Sequence, residues 1–141
     1  LPVALHSGRL NQLQKSENQR SIHSGWREHF DNVTASMRDG FYQSWDLHPN
    51  QLSARYSAVY SYFVTGMDSQ AERLKAFVER ATKATLSGNT FDDAASAQGI
   101  LNFFVRGMDC GAFTEKEAAA ATGLSSTELR SSFQTLVVNS K

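Results

Sequence analysis

The sequence has little of several features that would identify a function class directly. Its 141 residues contain one cysteine, Cys110, and two prolines. A single cysteine cannot form an internal disulfide, so we expect a reducing compartment, the cytoplasm. Basic and acidic residues balance at 14 each, and this neutral chain lacks the basic excess of a nucleic-acid or acidic-membrane binder. No apolar run approaches the roughly 20 residues that span a bilayer.

Common catalytic and metal-binding motifs are also missing. There is no glycine-rich phosphate loop, no GxSxG elbow and no HExxH helix. His23 and His29 are six residues apart, which is not the spacing of ligands on one helix face, and no cysteine accompanies them. The acidic pair Asp92 and Asp93 fits the positive end of a helix better than a metal site. The sequence therefore predicts no metal centre and no cofactor within this chain.

The patterns that are present are mainly helical. Residues 1–5 could form a strand, and residues 6–20 predict a polar loop that could be mobile. A helix capped by Ser21 or Ser24 is predicted to run to about Asp39, with Gly40 as its left-handed stop. Its apolar positions are spaced by four, three and four residues: Trp26, Phe30, Val33 and Met37.

Further helices come after one short aromatic segment. FYQSWDL, residues 41–47, predicts a strand, and Pro49 then suits the first turn of a helix that runs to about Gly66. Asp68 or Ser69 would cap the next helix, which ends at SGNT, 87–90. Later helices are predicted up to Gly107, over 115–122 between Thr114 and Gly123, and from Ser125 or Ser126, with Leu129, Phe133 and Leu136 inward. The predicted fold class is mostly α, a helical bundle with one or two short strands.

A seven-residue pattern occurs twice. YFVTGMD, 62–68, returns as FFVRGMD, 103–109. We predict that the glycine ends a helix in each copy, that the methionine covers the core, and that the aspartate caps the next helix. A duplicated helical hairpin is an alternative explanation.

The stretch WDLHPNQL, residues 45–52, is the most chemically suggestive. On a strand, Asp46 and His48 would face the same side, and a histidine held by a carboxylate can act as a general base. They are the candidate catalytic residues. The alternative, which we favour, is a strand-to-helix corner at His48 and Pro49, with Asp46 bonded to nearby backbone. Arg55 lies two turns further on and could bind an anion, although a solvated side chain is the favoured interpretation.

Residues 114–136 suggest another function class. Two short helices around a Gly–Leu turn resemble a DNA-binding helix-turn-helix. Such a recognition helix should carry several basic or amide side chains, and here it offers only Arg130 and Gln134. We therefore favour a plain helical corner, and nucleic-acid binding is disfavoured.

Two long segments resemble a known superfamily. Residues 40–63 and 77–118 are similar to the C-terminal part of aldolase/citrate-lyase-like proteins of the HpcH/HpaI superfamily, in a branch with a helical extension. A shorter pattern shared with more distant members is a strand that ends in His-Pro-x-Gln. Here this pattern is His48, Pro49, Asn50 and Gln51.

The resemblance implies a parent protein with a (β/α) barrel that breaks or forms carbon–carbon bonds beside a carbonyl, with Mg²⁺ in the parent. Residues 21–66 would be the last helix–strand–helix of that barrel, with 41–47 as its last strand. Residues 1–20 would be a polar leader, and residues 67–141 a helical extension. The opening LPVAL, without Met, suggests an interior cut of a longer polypeptide.

The resemblance also implies what this chain lacks. In such enzymes the acidic metal ligands and the substrate-binding arginine come from earlier strands, so we expect this chain alone to be inactive. Gln51 and Arg55 are its candidate substrate-binding residues, and His48 and Gln51 would lie at the barrel rim. The expected role is structural, with a second copy or the rest of the parent barrel as partner. The alternative is a stand-alone helical interaction or regulatory module.

Overall fold

The chain is described by a computed structural model that covers residues 1–42, 45–88 and 93–139. The predicted mostly helical fold is confirmed. Its helices are α1 (Gln12–Arg38), a 3-10 turn (Pro49–Gln51), α2 (Leu52–Leu86), α3 (Ala94–Asp109), α4 (Glu115–Thr122), α5 (Ser126–Leu129) and α6 (Phe133–Asn139). No helix in the described ranges is long and apolar enough to cross a membrane.

The expected short strands are wrong for the part of the chain that the structure describes. Residues 1–5 are irregular, as are residues 41–42 and 45–47. Gln43 and Ser44, in the middle of the predicted strand 41–47, lie outside the described residues. The chain divides into two compact units, Leu1–Tyr62 and Phe63–Lys141, with the division inside α2.

The predicted polar loop over 6–20 is also wrong, because α1 begins at Gln12. Asn11 caps it: the Asn11 side chain accepts from the Gln14 backbone N–H at 2.9 Å, and the Gln14 side chain accepts from the Asn11 N–H at 3.1 Å. This reciprocal cap satisfies two N–H groups that the first turn leaves unpaired. The first turns of α1 lack an apolar stripe because their inner face makes its contacts through polar side chains.

Those polar groups bind the N-terminal segment along α1. The Asn18 side chain accepts from the backbone N–H groups of Leu5 and His6, both at 2.8 Å. A Cβ on Gly25 would lie 2.6 Å from the backbone nitrogen of Pro2, so only glycine permits this approach. Residues 1–6 thus pack by side-chain-to-backbone hydrogen bonds instead of strand pairing.

The buried stripe of α1 is offset from the predicted one. Gly25, His29, Val33 and Met37 are buried at four-residue steps. Trp26 and Phe30, which the prediction placed inward, are only half-buried. The predicted stop at Gly40 is confirmed, with a left-handed φ of 87°.

The repeated heptapeptide does not end helices. α2 runs unbroken through Gly66 to Leu86, and Gly107 lies inside α3, so the predicted stops at both glycines and the cap at Asp68 or Ser69 are wrong. A Cβ on Gly66 would press on the Phe103 ring at 3.1 Å, and one on Gly107 would collide with the ring of Phe113. Each glycine therefore leaves the space in which a phenylalanine ring packs against the helix.

Packing explains why glycine is kept inside these helices. A helical glycine costs about 1 kcal/mol relative to alanine, whereas burying a phenylalanine side chain contributes about 1.5–3 kcal/mol. The rings of Phe63, Phe103, Phe104 and Phe113 form one cluster, with centroid separations from 5.0 to 6.4 Å. α3 ends instead before Gly111, whose φ is 78°.

The C-terminal helices have the predicted caps. The box between Thr114 and Glu117 is present, and Gly123 directly succeeds α4, as predicted. The predicted last helix is two helices, α5 and α6, because Ser132 accepts from the Thr135 N–H and starts a new helix. Leu129, Phe133 and Leu136 are buried, as predicted.

Two predicted boundaries near residue 90 fall partly in the described ranges. Ser87 and Gly88 form a turn after α2, and residues 89–90 of SGNT lie outside the described residues. Asp93 directly precedes α3 without a side-chain capping bond, and Asp92 also lies outside the described residues.

Two glycines of α3 provide a matched test of this packing. Gly99 has open space at its Cβ position, whereas Gly107 faces Phe113. We expect Gly99→Ala to stabilise the fold by about 0.5–1 kcal/mol through helix propensity. Gly107→Ala should destabilise it by about 1–3 kcal/mol through overpacking. Urea unfolding measures both changes in stability. A Gly107→Ala variant as stable as Gly99→Ala would contradict the close packing of Phe113 against Gly107.

Candidate functional site

The WDLHPNQL stretch forms a tight entry into α2. His48 is the N-cap of the 3-10 turn, and its Nδ1 accepts from the Asn50 N–H at 3.1 Å. The Gln51 side-chain oxygen accepts from the backbone N–H groups of Leu47 at 2.8 Å and His48 at 3.2 Å. Pro49 occupies the first turn, as predicted. His48 is exposed, and its Nδ1 is engaged in the cap.

Asp46 turns inward and meets residues from both helices of its unit. Arg55 Nε, on α2, donates to Asp46 Oδ2 at 2.5 Å. His29 Nε2, on α1, lies 3.0 Å from Asp46 Oδ1. The Asp46 side chain is 11% exposed, and those of His29 and Arg55 are each 9% exposed. With Gln51, these residues form a buried polar group that we call the Asp46 cluster.

The hydrogen bonds of the cluster fix the tautomer of His29. Gln51 uses its side-chain oxygen as an acceptor, so the group 3.4 Å from His29 Nδ1 is its amide N–H₂. Nδ1 is therefore the acceptor, and the ring proton lies on Nε2, where it is donated to Asp46. In this arrangement each ring nitrogen of His29 faces one neighbour of the cluster.

The pKa of Asp46 reflects two opposing effects. Burial of the carboxylate raises its pKa, but the hydrogen bonds from Arg55 and His29 and the positive charge of Arg55 act the other way. Together they hold the pKa of Asp46 below its ordinary value of 3.8. The carboxylate therefore remains charged at neutral pH inside a mostly buried site.

This geometry limits what the cluster can do chemically. Both oxygens of Asp46 and both ring nitrogens of His29 are engaged in the cluster. A general base must reach the substrate proton that it takes, whereas Asp46 is turned toward His29 and Arg55. The positive guanidinium of Arg55 beside the carboxylate also disfavours a second cation such as Mg²⁺ there. No trio of histidine, cysteine or acidic side chains able to hold a metal occurs among residues 1–42, 45–88 and 93–139.

The predicted site residues are thus only partly brought together. Asp46, Gln51 and Arg55 belong to one cluster, whereas His48 stands outside it as a cap. The favoured expectation that Asp46 bonds backbone is not met among the described residues, where its bonds go to the side chains of His29 and Arg55. The favoured expectation that Arg55 is solvated is also wrong, because it is buried.

Sequence reasoning missed His29, the residue that completes the cluster. The signal was present in its spacing: His29 stands four residues before Val33 and four after Gly25, on the buried stripe of α1. A histidine on a buried helix stripe needs a polar partner. The partner is Asp46, 17 residues further along the chain.

The loop around the cluster exposes its largest apolar side chains. Trp45 and Leu47, which flank buried Asp46, are each 76% exposed, and Phe41 is 72% exposed. On α2, Leu52, Tyr56 and Tyr60 continue as an exposed apolar stripe at four-residue steps. Charged side chains are usually exposed and large apolar side chains usually buried, and this loop has the opposite arrangement. Such exposed apolar groups are typical of an interaction surface.

Comparison with known proteins places most of the chain in one family. A family model described as a domain of unknown function, DUF6986, matches residues 1–136. No curated protein and no solved structure matches the chain.

The pKa of Asp46 predicts a specific acid sensitivity. Because the folded-state pKa is lowered, the charged carboxylate stabilises the fold above its unfolded pKa, and this contribution is lost as pH falls through the folded pKa. We expect Asp46→Asn to be less stable than the wild type by roughly 2–4 kcal/mol at pH 7. The difference should shrink as the pH falls below the ordinary pKa of 3.8 and through the lowered pKa of the folded state.

Urea midpoints measured across this pH range test the prediction. Asp31→Asn, which changes an exposed carboxylate on α1, is the control and should track the wild type closely. An Asp46→Asn variant whose deficit stays constant down to the lowest pH would show that the ionised carboxylate is not the source of the stability.

Proposed function

The chain belongs to the DUF6986 family, and we propose that it is a non-catalytic helical part of an aldolase/citrate-lyase-like carbon–carbon lyase. Its role is to present an apolar surface for assembly, either with a second copy or with the rest of the parent barrel. The observation that carries the proposal is the Asp46 cluster, in which the Asp46 carboxylate is bound by His29 and Arg55 while Trp45 and Leu47 are exposed.

The assembly role is supported by what the exposed side chains would gain. Removing a large apolar side chain from water contributes about 1.5–3 kcal/mol. In the isolated chain Asp46 occupies the inward position, so the side chains of Trp45 and Leu47 do not gain this free energy of burial. A partner that covers Trp45 and Leu47 would recover it, and the hydrogen bonds from Gln51 to the backbone of Leu47 and His48 reduce the entropy lost on binding.

The lyase assignment is supported by the resemblance of residues 40–63 and 77–118 to aldolase/citrate-lyase-like proteins. In this proposal the acidic metal ligands and Mg²⁺ belong to other parts of the parent, and the protein is cytoplasmic. His48 and Gln51 shape the loop that enters α2. In this proposal they take no part in proton transfer: Nδ1 of His48 and the side-chain oxygen of Gln51 accept backbone N–H groups of the turn.

A stand-alone interaction module is the second candidate, and the same exposed loop favours it. The two differ in one measurable respect. In the first, the full-length gene product cleaves a carbon–carbon bond beside a carbonyl in the presence of Mg²⁺. In the second, it has no such activity and residues 1–141 bind their partner unaided.

The assembly surface is tested with a matched pair of leucines. Leu47→Ser removes an apolar group from the loop, and Leu86→Ser removes one that is 74% exposed at the end of α2. We expect Leu47→Ser to weaken association about tenfold or more, and Leu86→Ser to have little effect. Sedimentation velocity measures this for the chain with itself and with the remainder of the gene product added in trans.

If Leu47→Ser and Leu86→Ser associate equally well, the proposed assembly role of the loop is contradicted. Both positions are exposed, so neither change should disturb folding, and circular dichroism checks that they do not.

The non-catalytic role of His48 is tested by a substitution that keeps its cap. Asparagine is among the best N-cap residues, so His48→Asn should retain the turn and the turnover of the full-length gene product. His48→Ala should lose about 1 kcal/mol of stability. A fall of about a hundredfold or more in turnover in both variants, at unchanged fold, would instead identify an imidazole that takes part in proton transfer.

A further inference from the structure

A second feature of the unit Leu1–Tyr62 is a cleft between α1 and the beginning of α2. Its volume of about 670 Å³ falls in the range of small-molecule sites, roughly 300–1,000 Å³. The cleft is lined by His23, Ser24, Trp26, Arg27, Phe30, Ser53, Ala54 and Ser57. None of these belongs to the Asp46 cluster, so the cleft is independent of the proposed assembly role.

The lining combines one strong cation with apolar walls. Arg27 makes no hydrogen bond or ion pair with any residue in the described ranges, and none of these lining residues is acidic. The hydroxyls of Ser24 and Ser53 add hydrogen-bond donors, whereas the Ser57 hydroxyl donates to the Ser53 carbonyl within α2. The planar guanidinium of such an arginine can bind two oxygens of a carboxylate or a phosphate at once.

The aromatic wall is held in place by contacts with other residues of the protein. The indole N–H of Trp26 donates to the backbone carbonyl of Asn50 at 2.7 Å. The His23 ring stacks on Trp26, with centroids 5.7 Å apart. Trp26 therefore does not need to be ordered by a ligand, which lowers the entropic cost of binding. Ser53 lies in the first turn of α2, whose positive end also favours an anion.

We propose that this cleft binds a small organic anion with a flat apolar body. Arg27 pairs with the carboxylate, the hydroxyls of Ser24 and Ser53 donate to its oxygens, and the body lies against Trp26 and Phe30. The combination selects a charged head and an aromatic or otherwise flat tail together, since neither inorganic anions nor neutral aromatics satisfy both walls.

Binding is tested with phenylacetate as the probe. Trp45→Phe leaves Trp26 as the single tryptophan, so intrinsic fluorescence then reports on the cleft alone. In this background we expect a saturable fluorescence change with phenylacetate. Phenylacetamide, which keeps the shape and lacks the charge, should bind about tenfold more weakly or worse.

Two variants and one control locate the site. Arg27→Gln should weaken phenylacetate binding about tenfold or more. Ser57→Phe places a ring at the exposed cleft wall and should block binding; the Ser57 hydroxyl bonds its own helix backbone, so the fold is spared. Arg20→Gln, two turns before Arg27 on α1 and outside the cleft, is the control and should bind as before.

Three results would overturn the proposal. One is the absence of a saturable change at millimolar phenylacetate in a folded protein. The second is unchanged affinity in Arg27→Gln or Ser57→Phe, which would place the probe elsewhere. The third is an equal loss in Arg20→Gln and Arg27→Gln, which would show a general charge effect in place of a site.

Discussion

The shared carboxylate of Asp46 is the constraint on which the loop between α1 and α2 depends. Its two oxygens receive Arg55 from α2 and His29 from α1, so a single side chain from the loop is tied to both helices. A charge in this position is tolerated only while both partners remain, because a buried carboxylate without them would cost several kcal/mol. Gln51 extends the constraint to the backbone of Leu47 and His48.

The outward position of Trp45 and Leu47 is a consequence of this constraint. Asp46 occupies the inward position between them, and both flanking side chains are three-quarters exposed. A different principle governs the unit Phe63–Lys141, where the absence of side chains at Gly66 and Gly107 lets the rings of Phe103 and Phe113 approach helix backbones. The first unit is specified by polar bonds and the second by ring packing.

The sequence predicted the features that arise from local chemistry. The cap at Thr114 and Glu117, the stop at Gly40 and the helix entry at Pro49 each depend on residues within one turn of each other, and each is present. Features decided by distant residues were missed. Gly66 has the local signature of a helix end, but Phe103 makes it a packing site inside α2.

The candidate site shows the same division. Asp46 and His48 stand out because they are close in sequence, yet Asp46 pairs with His29, 17 residues before it, and with Arg55, nine residues after it. The stretch 6–20 looked like a loop because α1 begins on polar residues whose partners are backbone groups of residues 5 and 6. The periodicity of α1 places His29 on a buried stripe, but no sequence pattern reveals which distant residue is its partner.

The protonation state of His29 tests the structural role of the Asp46 cluster most directly. Long-range ¹H–¹⁵N correlation spectra at neutral pH distinguish the two ring nitrogens of a single histidine. A structural cluster requires one persistent tautomer, with the proton on Nε2 and an unprotonated, hydrogen-bonded Nδ1. A proton on Nδ1, or averaging of the two tautomers through contact with solvent, would contradict the account and leave an imidazole available for chemistry.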